Sequence, residues 1–170
     1  MTTSFFLAGV MQGGRRAVDA ADQSYRTALR ATIEKTCPDP VVHDPHELVL
    51  ERYGDRVPEL RQALAAVADT PVVVRGLLDP RVLELLDVFH EMTWLAAASD
   101  ICVAWLPGHE PSMGTAAEMY AAYTAGRTVV TITDMRYNVA VLSCSTVILP
   151  GLAAFSDWLA EKGDPLCTTS

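Results

Sequence analysis

The side chain in this sequence best placed for chemistry is a single carboxylate. Glu118 follows Pro111-Ser112-Met113-Gly114-Thr115-Ala116-Ala117 and precedes Met119-Tyr120-Ala121-Ala122. It therefore falls in the first turns of an otherwise apolar helix, where a carboxylate either faces a ligand or lies on a solvated side. Ser112 and Gly114 stand at or before that helix's N-terminus, where free N–H groups and the helix dipole favour an anion. Ser112 is equally suited to a plain N-cap, worth ~1 kcal/mol. A second segment, Gly9-Val10-Met11-Gln12-Gly13-Gly14-Arg15-Arg16, puts glycines after an apolar strand. Glycines there let backbone approach a ligand and free N–H groups for an anion. The segment matches neither G-x-G-x-x-G nor a phosphate loop ending in G-K-[ST]. A tight turn with two solvated arginines would read the same way. Acids supply the third group: Asp100 at the mouth of the third strand, with Glu91 and Asp87 in the helix before it. Acids in a cleft do general acid/base work; the bland alternatives are a turn or cap for Asp100 and a solvated helix face for the other two.

The remaining reactive types form no pattern. His43, His46, His90 and His109 lack zinc spacing, so no metal site is expected. There is no G-x-S-x-G elbow and no cysteine visibly paired with histidine. Cys37, Cys102, Cys144 and Cys167 lie far apart with no C-x-x-C, the pattern of reduced thiols in a cytoplasmic protein. No cofactor is expected.

These residues must be positioned by alternating strands and helices. Ser4 to Val10 reads as a compact apolar strand, and Val18 to Lys35 as a helix with Ala21, Tyr25, Ala28, Leu29 and Ile33 at helical spacing. Pro38 and Pro40 stop it, and Val41-Val42 begins a second strand. His43 to Asp55 is a loop or short helix, Pro58 to Ala68 a helix, and Thr70 to Arg75 ambiguous between strand and helix. Arg81 to Ala98 is a long helix, and Asp100 to Leu106 a strongly apolar strand, central in a parallel sheet. Met113 to Ala125 is a helix closed by Gly126. Arg127 to Thr133 is a strand, Asp134 to Ser145 loop-like or partly helical, Thr146 to Leu149 a last strand, and a final helix runs through Lys162. Such alternation implies right-handed crossovers and a parallel sheet covered on both faces. The ligand then sits outside the carboxyl ends of the strands, where Gly9 to Arg16, Pro107 to Glu118 and Thr133 to Ser145 converge.

Composition narrows the partners. The 170 residues suit one domain, with 55–80 as an insertion. Thirteen basic against 21 acidic residues give a net charge of −8, which disfavours nucleic acid and anionic membrane surfaces alike. No apolar run approaches the ~18 residues that span a bilayer, and the apolar N-terminus reads as a buried strand rather than a signal peptide. A small anionic ligand is compatible, since a local pocket can oppose the global charge.

Three segments together resemble a known family. Phe5-Phe6-Leu7-Ala8-Gly9, Ser99-Asp100-Ile101-Cys102-Val103-Ala104, and Ser112-Met113-Gly114-Thr115-Ala116-Ala117-Glu118 before a helix ending Ala-Gly-Arg are similar in order and spacing to the nucleoside 2-deoxyribosyltransferase superfamily. The resemblance covers about residues 4–50 and 82–150. It implies an α/β fold: a flavodoxin-like, doubly wound, five-stranded parallel sheet, in a homodimer or higher homo-oligomer. It also implies cleavage of the N-glycosidic bond of a nucleoside or nucleotide, with Glu118 as the nucleophile that attacks the anomeric carbon and forms a glycosyl ester. A second acid, Asp100 or Glu91, would protonate or orient the leaving base. The family's own acid is expected about eight positions before Asp100, where this chain has Met92.

Within the superfamily, transferases commonly place Asp where this chain has Ser112, and monophosphate hydrolases place Ser. An Asp repels phosphate, and a hydroxyl at a helix N-terminus can donate to it. Ser112, with Gly13, Gly14 and Arg15 beside it, thus resembles the 5′-monophosphate N-glycosidases, including CMP and hydroxymethyl-CMP hydrolases. Phe6 stands where many members have Tyr, and leaves room for a ribose hydroxyl. His46 resembles a histidine lining the phosphate or base region, and Asn138 a residue reaching the neighbouring subunit's site. Gly9 and Gly114 complete the implied substrate contacts. Base exchange by a deoxyribosyltransferase and a non-catalytic nucleotide-binding module are the alternatives. A lysine-decarboxylase-like phosphoribohydrolase fits less well, because its paired glycines before G-T-x-x-E are absent.

Overall fold

The computed structural model describes residues 2–11 and 22–168, with side chains through residue 161. The elements run β1 (Ser4–Gly9), α1 (Ser24–Thr36), β2 (Val41–His43), α2 (Pro45–Tyr53), α3 (Val57–Ala66), α4 (Pro80–Ala98), β3 (Ile101–Leu106), α5 (Met113–Thr124), β4 (Thr128–Thr133), α6 (Val139–Cys144), β5 (Val147–Leu149) and α7 (Leu152–Thr168). The five strands form one all-parallel sheet in the order β2-β1-β3-β4-β5. This is the flavodoxin-like doubly wound arrangement. Its strand order reverses between β1 and β3, which opens a crevice at their carboxyl ends.

The two-residue period of β1 sorts its side chains onto the two faces. Phe5 and Leu7 join Leu29 and Ile33 of α1 and Phe155 and Leu159 of α7 in one core. Phe6, Ala8 and Val10 join Val88 and Met92 of α4 and Met119 and Ala122 of α5 in the other. Local signals end the helices as the sequence suggests. Gly126 takes φ +71°, a left-handed conformation that glycine adopts freely, just beyond α5.

Three segments that the sequence left open are settled by the structure. His43 to Asp55 holds a full helix, α2, because Asp44 caps it through the His46 N–H and Pro45 presets its first turn. Thr70 to Val74 is neither strand nor helix, and Arg75 opens a 3-10 turn: Val72, Val73 and Val74 are 75%, 51% and 51% exposed and pair with no strand of the sheet. Asp134 to Ser145 contains α6, capped by Asn138. The first helix begins at Ser24, with Asp22 and Gln23 outside it and residues 18–21 of the expected helix outside the described residues, and α7 extends to Thr168. The 55–80 stretch holds α3 and short 3-10 turns. Among the described residues no helix is long and apolar enough to cross a membrane.

Candidate active site

The sheet delivers a buried charge cluster to the end of β1. Arg26 of α1 is 3% exposed. Its guanidinium donates to the Leu7 carbonyl at 2.7 Å and to the Gly9 carbonyl at 3.3 Å. It also donates to Asp44 Oδ1 at 3.1 Å, in a pair whose side chains are 3% and 4% exposed. Its Nε donates to Gln23 Oε1 at 2.7 Å, and Gln23 Nε2 in turn donates to the Val10 carbonyl at 3.0 Å. One side chain therefore ties α1, the end of β1 and the start of α2 together. Each of its three nitrogens finds a partner, which favours burying a guanidinium.

Glu118 faces this cluster from α5. It is 8% exposed and makes no hydrogen bond among the described residues. Burial pushes its carboxyl up to about 8, against the opposing pull of Arg26. Beneath it Cys102, the register partner of Phe6, has a thiol raised by burial and by the Glu118 charge. A carboxyl pushed up to about 8 beside a cleft makes Glu118 the candidate functional group here.

Ser112 caps α5. Its Oγ accepts from the Thr115 N–H at 3.2 Å and from the Thr115 hydroxyl at 3.0 Å. Both of those bonds use Ser112 as acceptor, so its own proton is free to donate outward. Six residues at 1.5 Å rise put Ser112 about 9 Å along the axis from Glu118. At Gly114 an added Cβ would meet only ordinary van der Waals contacts, 3.7 Å to Phe89, so packing alone does not require glycine there. Ser112 also lines a cavity of about 170 Å³ with Asn138, Leu106, Met113, Met119 and Met135. Asn138 Oδ1 accepts from the Ala140 and Val141 N–H groups, which leaves its amide nitrogen unused in those bonds.

Two of the acids expected at the site are elsewhere. Asp100 precedes β3, so it lies at the amino end of the sheet, opposite the crevice. Its Oδ2 accepts from the Ser4 N–H at 2.8 Å and the Ser4 hydroxyl at 2.7 Å, and Arg127 stands 4.0 Å from Oδ1. Burial raises this carboxyl, but the Ser4 bonds and Arg127 outweigh it and hold it below the usual range. Asp100 is a clasp between β1 and β3. Asp100→Ala is expected to lower stability by ~1–2 kcal/mol while leaving turnover intact, read by urea denaturation beside an activity assay. Glu91 is on the outer side of α4, in a two-pronged pair with Arg52 at 2.5 and 2.8 Å that holds its carboxyl low. An exposed pair of this kind links α2 to α4 and does not reach Glu118.

The other expected residues divide as follows. Phe6 is fully buried in the core on the α5 side. Gly9 ends β1 under the Tyr25 ring, where a Cβ would come within 2.1 Å of the phenol oxygen. His46 sits in the first turn of α2 beside Asp44. Gly13, Gly14 and Arg15 lie outside the described residues. Among the described residues no group of three or more His, Cys, Asp or Glu side chains could hold a metal. Arg26, Asp44 and Tyr25 were not anticipated as site residues. The signals for the first two were an arginine on the Leu29–Ile33 face of α1 and the helix-start pattern Asp44-Pro45-His46-Glu47.

This arrangement can be set against known proteins. No family model and no curated protein matches the sequence. Solved structures do match. The 2-deoxyribosyltransferase of Bacillus psychrosaccharolyticus is similar at TM-score 0.55 and 14% identity, over 91% of this chain and 91% of that one. A conserved protein from Enterococcus faecalis is similar at TM-score 0.55 and 18% identity, over 95% of this chain and 99% of the other. A looser likeness runs to a CMP N-glycosidase of Clostridium botulinum, TM-score 0.43 and 12% identity, over 92% and 97%. The chain thus has the fold of a 2-deoxyribosyltransferase. At these identities the likeness is one of fold, and the chemistry rests on the site itself.

Proposed function

We propose that this chain hydrolyses the N-glycosidic bond of a nucleoside 5′-monophosphate, with Glu118 as nucleophile. The observation that carries the reading is the Glu118 carboxyl: nearly enclosed, without a hydrogen bond among the described residues, and held against β1 and β3 beside the switch-point crevice. A carboxylate there attacks the anomeric carbon as the C–N bond breaks, and the bonding pair leaves with the base nitrogen, which takes a proton. Water then attacks the anomeric carbon of the ester, returning the carboxylate and releasing the sugar 5-phosphate. Among the acids weighed for the proton transfer, Asp44 is committed to Arg26, and Asp100 and Glu91 are remote. Solvent or a group of the substrate supplies it.

The free proton of the Ser112 hydroxyl supports the monophosphate, because that donor sits with the bare N–H groups of α5 about 9 Å from the nucleophile. The fully apolar Phe6 supports ribose over deoxyribose. A second reading, transfer of a deoxyribosyl group between bases, draws on the fold shared with the Bacillus psychrosaccharolyticus enzyme. A homodimer is the assembly that suits the exposed aromatic residues of α4 and α5, Trp94, Tyr120 and Tyr123, at 66%, 60% and 53% exposure.

The test is a panel of ribo- and deoxyribonucleoside monophosphates and free nucleosides, with and without an acceptor base, read by chromatography of released base. Release from monophosphates into water supports the proposal; base exchange on free nucleosides alone replaces it with transfer. Ser112→Asp sharpens the result. Added charge opposite phosphate is expected to cut monophosphate kcat/KM by ~100-fold or more and to change free-nucleoside turnover far less. Equal losses on both substrates would remove Ser112 from phosphate recognition.

A further inference from the structure

The cavity between α5 and α6 is not used by the proposed reaction, beyond the Ser112 hydroxyl on its rim. It measures about 170 Å³, and its walls are apolar. Leu106 ends β3, Met113 and Met119 come from α5, Met135 follows β4, and Val141 and Cys144 come from α6. Ser112, Ala116 and Met119 follow helical spacing, so they share one side of α5. Glu118 precedes Met119 by one residue, which turns it roughly 100° around the helix, and it does not line the cavity. This is a separate space beside the nucleophile. An apolar cavity of ~150 Å³ takes a benzene molecule, so the space here is of the size of one ring. Three thioethers in the wall suit such a ring, because methionine adjusts its shape and its sulfur packs well against aromatic edges.

Two polar side chains line the cavity, Ser112 and Asn138. Both spend their acceptors inside the chain. Ser112 Oγ accepts from the Thr115 N–H and hydroxyl, and Asn138 Oδ1 accepts from the Ala140 and Val141 N–H groups. What they have left to offer is donors. Water is a poor occupant, since a buried water makes about three hydrogen bonds and these side chains supply two donors. The Cys144 thiol is raised by burial, so it adds a neutral wall and no thiolate for a metal ion.

We infer that this cavity binds a single-ring apolar molecule bearing a hydrogen-bond acceptor, such as an aryl ketone, and that Asn138 reads the acceptor through its amide nitrogen. The binding stands on the cavity alone. Its consequence for turnover rests on the nucleotide reading: the bound ring lies against Ser112 and competes with phosphate for that hydroxyl.

The probes are acetophenone and ethylbenzene, which share a ring and nearly a shape and differ in the carbonyl. Binding is read by carbon NMR of labelled methionine methyls. Of the six methionines, Met113, Met119 and Met135 line the cavity, while Met92 packs in the same core without lining it. Acetophenone is expected to shift those three methyls saturably, to leave Met92 in place, and to bind ~5–10-fold more tightly than ethylbenzene. Asn138→Asp keeps an acceptor for the Ala140 and Val141 N–H groups and removes the donor. It should abolish the preference for the ketone and leave ethylbenzene binding unchanged. Ala116→Leu, which fills the cavity from an exposed helix position, should abolish binding of both without lowering the melting temperature.

No saturable shift with either probe, or equal shifts at Met92, overturns the inference. So does a ketone preference that is absent in wild type or survives Asn138→Asp. Shifts that follow protein concentration with no probe added would give the cavity to a second copy of the chain instead. Binding that leaves monophosphate turnover unchanged sustains the site and counts against Ser112 as the phosphate donor. Binding to a protein that releases no base sustains the site and sinks the nucleotide-hydrolase reading.

Discussion

On the proposed reading, Glu118→Gln is expected to lower base release from nucleoside monophosphates by ~1,000-fold or more and, at alkaline pH, to make the protein more stable. Both effects follow from one placement. The nucleophile is lost, because an amide does not form the glycosyl ester. The stability gain follows from linkage. The Glu118 carboxyl has an unfolded value of 4.5 and a folded value of about 8. Below pH 4.5 both states are protonated and wild type equals the variant. Between 4.5 and 8 the unfolded chain releases its proton and the folded chain keeps it, so wild type loses stability as pH rises. Above 8 the loss is complete, of order 5 kcal/mol by the size of the shift. For a chain of this length that corresponds to roughly 10 °C in Tm. Thermal melts of wild type and Glu118→Gln at pH 4.5, 7 and 9 check it: the curves should coincide at the lowest pH and separate progressively. The same carboxyl fixes the rate profile. Because the ionised form attacks, kcat/KM should rise with pH and level off above about 8. A profile that falls through that range would make Glu118 a general acid instead.

Arg26→Met is the second large effect, and it acts on the fold. The substitution leaves Asp44 buried at 4% exposure without its cation, and takes a donor from the Leu7 and Gly9 carbonyls. Breaking one side of a buried pair typically costs ~3–5 kcal/mol, which denaturant midpoints will read directly. Asp44→Asn keeps the cap on α2, since Asn also accepts from the His46 N–H. Combined with Arg26→Met it should recover part of the loss, and a double-mutant cycle then isolates the pair. Strictly additive losses would mean that the two side chains hold the fold independently. Arg26→Met should also raise the Glu118 midpoint further, because Arg26 is the charge that now opposes burial there.

The architecture was legible because its signals are periodic. Continuous apolar runs at Ser4 to Val10 and Asp100 to Leu106 mark buried parallel strands, and the Gly126 stop closes α5 where expected. Glu118 stood out for a different reason: a lone carboxylate in an apolar helix is conspicuous, and of the two faces the spacing allowed, the structure puts it on the buried one. The second acid was misplaced by a directional oversight. Asp100 precedes its strand, and in a parallel sheet that end lies away from the ligand crevice. Arg26 was hidden because a charge on a core-facing helix position reads as an interruption of the stripe. Its partners are the two strand carbonyls, which no side-chain pattern reveals, and Asp44, which is 18 residues away. The apolar Val72-Val73-Val74 run stayed ambiguous, since β-branched residues alone do not make a strand, and these three are exposed and pair with no strand.

The covalent state of Glu118 is the most direct test of this account. The protein is mixed with the monophosphate that releases base fastest, quenched in acid during turnover, digested, and the peptide carrying Glu118 weighed. The account predicts a fraction of that peptide heavier by one sugar phosphate less water, attached at Glu118, and none in Glu118→Gln. Base release that continues in Glu118→Gln, with the peptide unmodified in both proteins, would contradict it.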